Sequence, residues 1–172
     1  APAVGGALAR GRQAACLSNV RQLGVTFLSY AGDHGAFPAV WTGDRGRWMD
    51  LIKPYVVKNC EVYRCPADRQ RIPLSWDPQI VQSYGVNSFR FGGADACLWY
   101  GVRPAAIPRL SMVVILADCT PGKYYCGGGN AFREPVPDVD YRHPGPGFSA
   151  VFGDAHAEPR TKTTKEEWDV SQ

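Results

Sequence analysis

No stretch of this 172-residue chain offers eighteen consecutive apolar residues, so nothing in it reads as a membrane-spanning helix. It contains no CxxC pair and no Cys/His cluster with ribbon-like spacing, which argues against a locally assembled zinc module. Histidine is scarce, at three residues, and no internal repeat or second domain is visible. Net charge is also small: the formal value of +3 does not by itself imply a nucleic-acid partner. Residues 1–71 carry ten Lys/Arg against five Asp/Glu, while the remainder nets −2, an imbalance that a solvated basic helix face explains. The chain starts Ala-Pro-Ala-Val, without Met and without a secretory signal peptide. The expectation is that a segment, with any export signal, was removed before residue 1.

What is present describes a globular domain. Apolar residues make up 45% and charged residues 20%, enough to bury a core at this length. Nineteen glycines and fourteen prolines predict many turns and long irregular connections. The six cysteines form an even set, which reads as three disulfides in an oxidising compartment, with buried thiols as the alternative. Fifteen pairings are open.

Residues 4–31 read as a helix that is regular from about Ala7. Cys16, Val20, Leu23, Phe27 and Tyr30 recur at one-face spacing, so Cys16 points into the core. Leu17, Gly24 and Leu28 widen the stripe, and "GDHG", Gly32 to Gly35, stops it. "RWMDLIKPY" suits a short second helix, and "CEVYRCP" a short extended piece. "VQSYGVNSFRF" alternates loosely as a strand would, and "SMVVILADC" is a continuous apolar run that suits a central buried strand. The Gly/Pro-rich stretch 119–147 shows little regular structure. "FSAVFGDAHAEPR" then reads as strand, two-residue turn at Asp154-Ala155, and strand. The order implies an α+β fold: a long N-terminal helix laid on a small antiparallel β-sheet, with disulfide-stapled loops. One domain covers 1–172, with the helix over 1–31, sheet and loops over 32–160, and a polar, peripheral tail over 161–172.

Four blocks carry a resemblance. The first is Cys16, Asn19, Gln22, Leu23, Gly24, Tyr30, Asp33, Gly35, Phe37 and Pro38. The second is Leu51, Pro54, Tyr55, Tyr63, Arg64, Cys65, Pro66 and Asp68. Ser83, Tyr84, Gly85 and Asn87 form the third, and Leu116, Ala117, Asp118, Arg142, His143, Phe152, Asp154 and His156 the last. Their order over residues 7–158 resembles pilin-like proteins of the type II secretion G-like pseudopilin kind, which have a prepilin-type N-terminus and a C-terminal His-x9-Asp-Gly signature. Here ten residues separate His143 from Asp154, and Ala155 stands where the family has glycine. A positive-φ turn is therefore less expected at this hairpin.

The resemblance implies a non-enzymatic structural subunit of a type II secretion or type IV pilus-like assembly, matured by prepilin processing and methylation. Its partners would be other pilin-like subunits, through an N-terminal helix that is not part of this chain. It would sit in the periplasm or at the cell surface, anchored in the inner membrane before assembly. A secreted protein or a surface glycan is a further possible partner, and no nucleic acid is expected. The resemblance, with the core-facing position of Cys16, pairs Cys16 with Cys65. Such a bridge would close about 49 residues and contribute about 4 kcal/mol in the chain-entropy account. Cys97 with Cys126 is the next pair, leaving Cys60 with Cys119. G-type pseudopilins hold calcium in a C-terminal loop, and "EPVPDVDY" offers Glu134, Asp138 and Asp140 as oxygen ligands.

Two further readings compete with the structural one. His143, Asp154 and His156, with Asp118, would form the metal or acid–base site of a metal-dependent hydrolase, but no nucleophile, second carboxylate or phosphate cradle accompanies them. The plainer assignment makes Asp154 a turn-closing acceptor and His143 a partly buried, hydrogen-bonded residue. Alternatively, Trp76, Trp99 and Tyr100 would present an aromatic surface for glycan on a tethered binding module, although aromatics more often fill a core. Trp41 and Trp48 belong to the same set.

Overall fold

The structure is a computed structural model that describes residues 2–56, 60–91 and 97–172. Helix α1 (Pro2–His34) is followed by a one-and-a-half-turn helix α2 (Trp48–Ile52) and five strands. These are β1 (Tyr84–Phe89), β2 (Val114–Asp118), β3 (Tyr125–Gly129), β4 (Phe148–Phe152) and β5 (Ala157–Arg160). They form one sheet in the order β3-β1-β2-β4-β5. Every pair is antiparallel except β1–β3, which is parallel, so the expected antiparallel sheet is a mixed one and the α+β class stands.

The helix stripe is where its spacing puts it. Cys16, Val20, Leu23 and Phe27 are fully buried and Ala31 nearly so, packed over β4, β5 and β2. Burying each of the larger side chains contributes about 1.5–3 kcal/mol. Docking anchors the helix from Cys16 onward, while Gly5, Gly6 and Gly11, of weak helix propensity, fall in its undocked first turns. The helix runs through Asp33 and ends at Gly35, whose φ of 78° gives the left-handed turn for its N–H to reach Ala31 O at 2.8 Å. No helix among the described residues is long and apolar enough to cross a membrane.

The other sheet face is covered too. Val114, Ala117, Phe148, Ala150 and Phe152 pack with Val136, Val139 and Trp168. β2 and β4 are thus buried on both sides, which is why β2 reads as an unbroken apolar run. This overturns the peripheral tail: Trp168 is fully buried, donates to Thr163 Oγ1 at 2.8 Å, and its carbonyl accepts Asn87 Nδ2 at 2.9 Å. "CEVY" is a 3-10 turn rather than an extended piece, and the 119–147 stretch contains β3.

The β4–β5 hairpin connection is residues 153–156 rather than the expected two-residue turn Asp154-Ala155, and Ala155 adopts the less expected positive φ, 67°, despite its side chain. Its N–H reaches Phe152 O at 2.8 Å. The turn is pressed against α1 at Gly24, where a Cβ would lie 2.6 Å from Val151 Cγ2 and 3.3 Å from Ala155 Cα. A left-handed conformation costs an L-residue about 1–2 kcal/mol. Ala155→Gly is therefore expected to stabilise the domain by about 1 kcal/mol, raising Tm by about 2–4 °C in a thermal melt. An unchanged or lower Tm would refute this.

Candidate metal centre

Four motif side chains meet in the core between α1 and the sheet: Cys16, Cys65, Asp118 and His143. One ligand atom from each lies within 4.8 Å of all the others. They are the only group of three or more His, Cys, Asp or Glu residues so gathered among the described residues. α1 supplies Cys16, and the turn after the 3-10 segment Cys60–Tyr63 supplies Cys65. Asp118 ends β2, and His143 stands in the approach to β4, pinned by a two-way backbone pairing with Gly147 at 2.9 Å. All four are buried, His143 being the most exposed at 4%.

Cys16 Sγ lies 3.3 Å from Asp118 Oδ1, and Cys65 Sγ 3.5 Å from His143 Nε2. His143 Nε2 is also 3.1 Å from Asp118 Oδ2, which accepts the Ser149 N–H at 2.6 Å. Backbone and side-chain donors point at the sulfurs: the Ala67 N–H at Cys65 (3.4 Å) and the Tyr84 hydroxyl at Cys16 (3.3 Å). Arg142 closes the outer side. Its Nε is 4.0 Å from Asp118 Oδ1, its Nη1 3.5 Å from Asp68 Oδ2 and its Nη2 3.0 Å from Asp140 Oδ2. Beyond Arg142 opens a cleft of about 300 Å³ also lined by Arg12, Asp68, Arg69 and Asp140.

The electrostatics separate the two thiols. A hydrogen bond from Cys16 leads in drawing the Cys65 thiol down to about 6, against burial and with help from His143 and the Ala67 N–H. Burial, then the bond to Cys65, pushes Cys16 well up. Burial opposes charge on His143, but its hydrogen bonds to Asp118 and Cys65 outweigh that and raise it to about 9. Burial resists the charge of Arg142 as well, and the surrounding carboxylates, Asp118 first, more than restore it.

This is not a nucleophile relay. In a Cys–His–Asp triad the thiol and the carboxylate engage opposite ring nitrogens. Here both meet Nε2, and Nδ1 has no hydrogen-bond partner among the described residues. The arrangement is instead a convergent donor set with two sulfurs, one nitrogen and one carboxylate.

The sequence-based sites fare unevenly. His143 is buried and hydrogen-bonded as the plainer assignment has it, and its pairing with Asp118 is real. Asp154 and His156 do not join them, because β4 runs between: they lie at its far end, where Asp154 Oδ1 accepts the His156 N–H at 3.1 Å. Cys16 and Cys65 meet, but as thiols, and no disulfide joins any cysteines among the described residues. Cys126 hydrogen-bonds with Cys119 rather than pairing with Cys97, and Cys60 does not pair with Cys119. The stapled-loop expectation is corrected accordingly; hydrogen bonding and burial hold those loops.

The calcium loop does not converge on its carboxylates. Asp140 is engaged by Arg142, Glu134 Oε1 accepts the Thr163 N–H at 3.0 Å, and Asp138 gives its carbonyl to the Thr120 N–H at 2.8 Å. Of the aromatic residues, Trp76 and Trp99 are linked edge-on through Tyr124 and Tyr125, while the Trp48 and Tyr100 rings lie outside that row. Trp48 is core, with Nε1 donating to Tyr124 O at 2.8 Å, and Trp76 is capped by Arg47, 3.4 Å above its ring. Trp99 sits edge-on to Tyr125, while Tyr100 lines a different cleft with Tyr30, His34 and Phe37.

All four cluster members had signals in the sequence, as the pairs Cys16 with Cys65 and His143 with Asp118. Cys65 and Asp118 belong to the quoted motif blocks, but residues 49, 53 and 25 positions apart share no local spacing that marks a ligand set. Comparison with protein-family models, with curated proteins and with solved structures finds no match for this chain.

Proposed function

We propose that this chain is the outward domain of a pilin-like subunit in a type II secretion or type IV pilus-like assembly, with α1 as the assembly element. The observation that carries the reading is the unequal docking of α1. From Cys16 onward one face is fully buried on the sheet, while Gly5–Leu8, Arg10, Gly11, Ala14 and Ala15 are exposed. A Cβ at Gly5, Gly6 or Gly11 would meet nothing within 4 Å. A helix whose first turns stand clear of its own domain has a free surface for copies of itself. On this reading the work is packing rather than chemistry, with the domain in the periplasm or at the surface and the anchor in the inner membrane. Secreted proteins or surface glycans would meet the sheet-and-loop portion.

The test uses the complete product of the gene that encodes this chain, expressed with and without a prepilin peptidase. The expected result is a membrane-bound precursor that the peptidase shortens. A photo-crosslinker at Leu8 should then join copies of the chain. A freely soluble product that the peptidase leaves unchanged and that does not crosslink would overturn the reading.

A further inference from the structure

The geometry points to a closed structural site for one zinc ion, held by Cys16 Sγ, Cys65 Sγ, the Asp118 carboxylate and His143 Nε2. Zinc bonds of about 2.3 Å to sulfur and about 2.0 Å to nitrogen or oxygen set the edges of a tetrahedron. Those edges are about 3.5 Å for sulfur to nitrogen or oxygen and about 3.3 Å for nitrogen to oxygen. The observed separations are 3.3 Å for Cys16 to Asp118, 3.5 Å for Cys65 to His143 and 3.1 Å for His143 to Asp118. Three donor pairs therefore stand near tetrahedral edges, Asp118 meeting Cys16 through Oδ1 and His143 through Oδ2, and all four donors lie within 4.8 Å of one another.

Donor chemistry narrows the ion. Two thiolates with an imidazole and a single carboxylate suit zinc, whereas calcium and magnesium prefer all-oxygen sets. The surroundings are those of ligands as well. The Ala67 N–H and the Tyr84 hydroxyl are aimed at the two sulfurs, and the Ser149 N–H fixes the carboxylate. Two thiolates and one carboxylate around Zn²⁺ leave one negative charge, and Arg142 stands beside Asp118 to meet it. With four protein ligands and full burial there is no open coordination position, so the ion ties α1 to the sheet and does no chemistry.

The experiment starts from the whole chain, stripped of metal under reducing conditions and titrated with zinc alone, then with cobalt. Expected are one zinc per chain, a Tm lower by about 10 °C in the stripped protein, and restoration on reloading. Cobalt should give thiolate charge-transfer and intense tetrahedral bands. Cys65→Ala and His143→Ala should abolish those bands, and Cys60→Ser should keep them. Because the two site variants can lose the fold, the wild-type cobalt spectrum decides independently. Absence of stoichiometric zinc, an octahedral cobalt spectrum, or a Cys16–Cys65 disulfide in peptide maps of the native protein would overturn the proposal.

Discussion

Asp118→Ala is expected to lower stability by about 3–5 kcal/mol, read from urea denaturation of metal-free protein so that the carboxylate alone is tested. Asp118 is fully buried at the end of β2 and receives four approaches: the Ser149 N–H, the Cys16 thiol, His143 Nε2 and the Arg142 guanidinium. Removing it takes one of three carboxylates from Arg142, takes the acceptor from His143 Nε2 and leaves a strand N–H of β4 without an acceptor, and these costs fall in the core. Asp118→Asn keeps an acceptor for Ser149 but removes the charge facing Arg142 and His143, so its loss should be intermediate. A loss below about 1 kcal/mol for the alanine variant would show that water reaches the cluster and screens it.

Gly85→Ala should be nearly as damaging, by more than about 2 kcal/mol, and Gly85→Val should abolish folding. A Cβ built on Gly85 lies 2.7 Å from Cys119 Sγ, 2.9 Å from Cys126 Sγ and 2.8 Å from the Tyr125 carbonyl carbon. The two sulfurs can shift, but the third neighbour is the backbone of β3 where it pairs with β1. The discriminating measurement is the urea midpoint of Gly85→Ala combined with Cys119→Ala. Little recovery is expected, since the backbone contact remains. Full recovery would make the thiol the whole obstacle.

Both positions explain why parts of the molecule were legible. Cys16, Val20, Leu23 and Phe27 form one stripe because α1 meets a single flat partner, so a 3.6-residue period survives into the structure. The run at 114–118 was legible because both of its faces are covered. The five residues of β3, "YCGGG", were not. Its Gly127, Gly128 and Gly129 all have positive φ and show no alternation, and it exists through pairing with β1 alone. Trp168 was hidden for a related reason: one aromatic in a polar segment leaves no period, and only the empty face of the sheet gives it a place.

The site followed the same logic. Gly85, Asn87, Asp68 and Asn19 were legible as motif residues, and the structure gives each a mechanical task. Asn87 Nδ2 ties Val114 O and Trp168 O at 2.9 Å, Asp68 accepts the Ser83 hydroxyl at 2.7 Å, and Asn19 holds Arg64 O at 2.9 Å. The sequence shows the ligand-like set only in halves, Cys16 with Cys65 and His143 with Asp118. Grouping His143 with Asp154 and His156 followed sequence proximity, which a strand of five extended residues defeats. Joining the halves needs the sheet order, in which β4 is brought beside β2.

The strands that cover the apolar stripe of α1 are β2, β4 and β5, and β4 and β5 come last in the chain. Cys16 meets Asp118 across 102 positions of sequence, and Asn87 meets the Trp168 carbonyl across 81. A ribosome therefore makes the greasy side of the helix well before the strands that form its lid. Until β4 and β5 emerge that side lacks most of its native cover, so folding of this domain must await the β4–β5 hairpin.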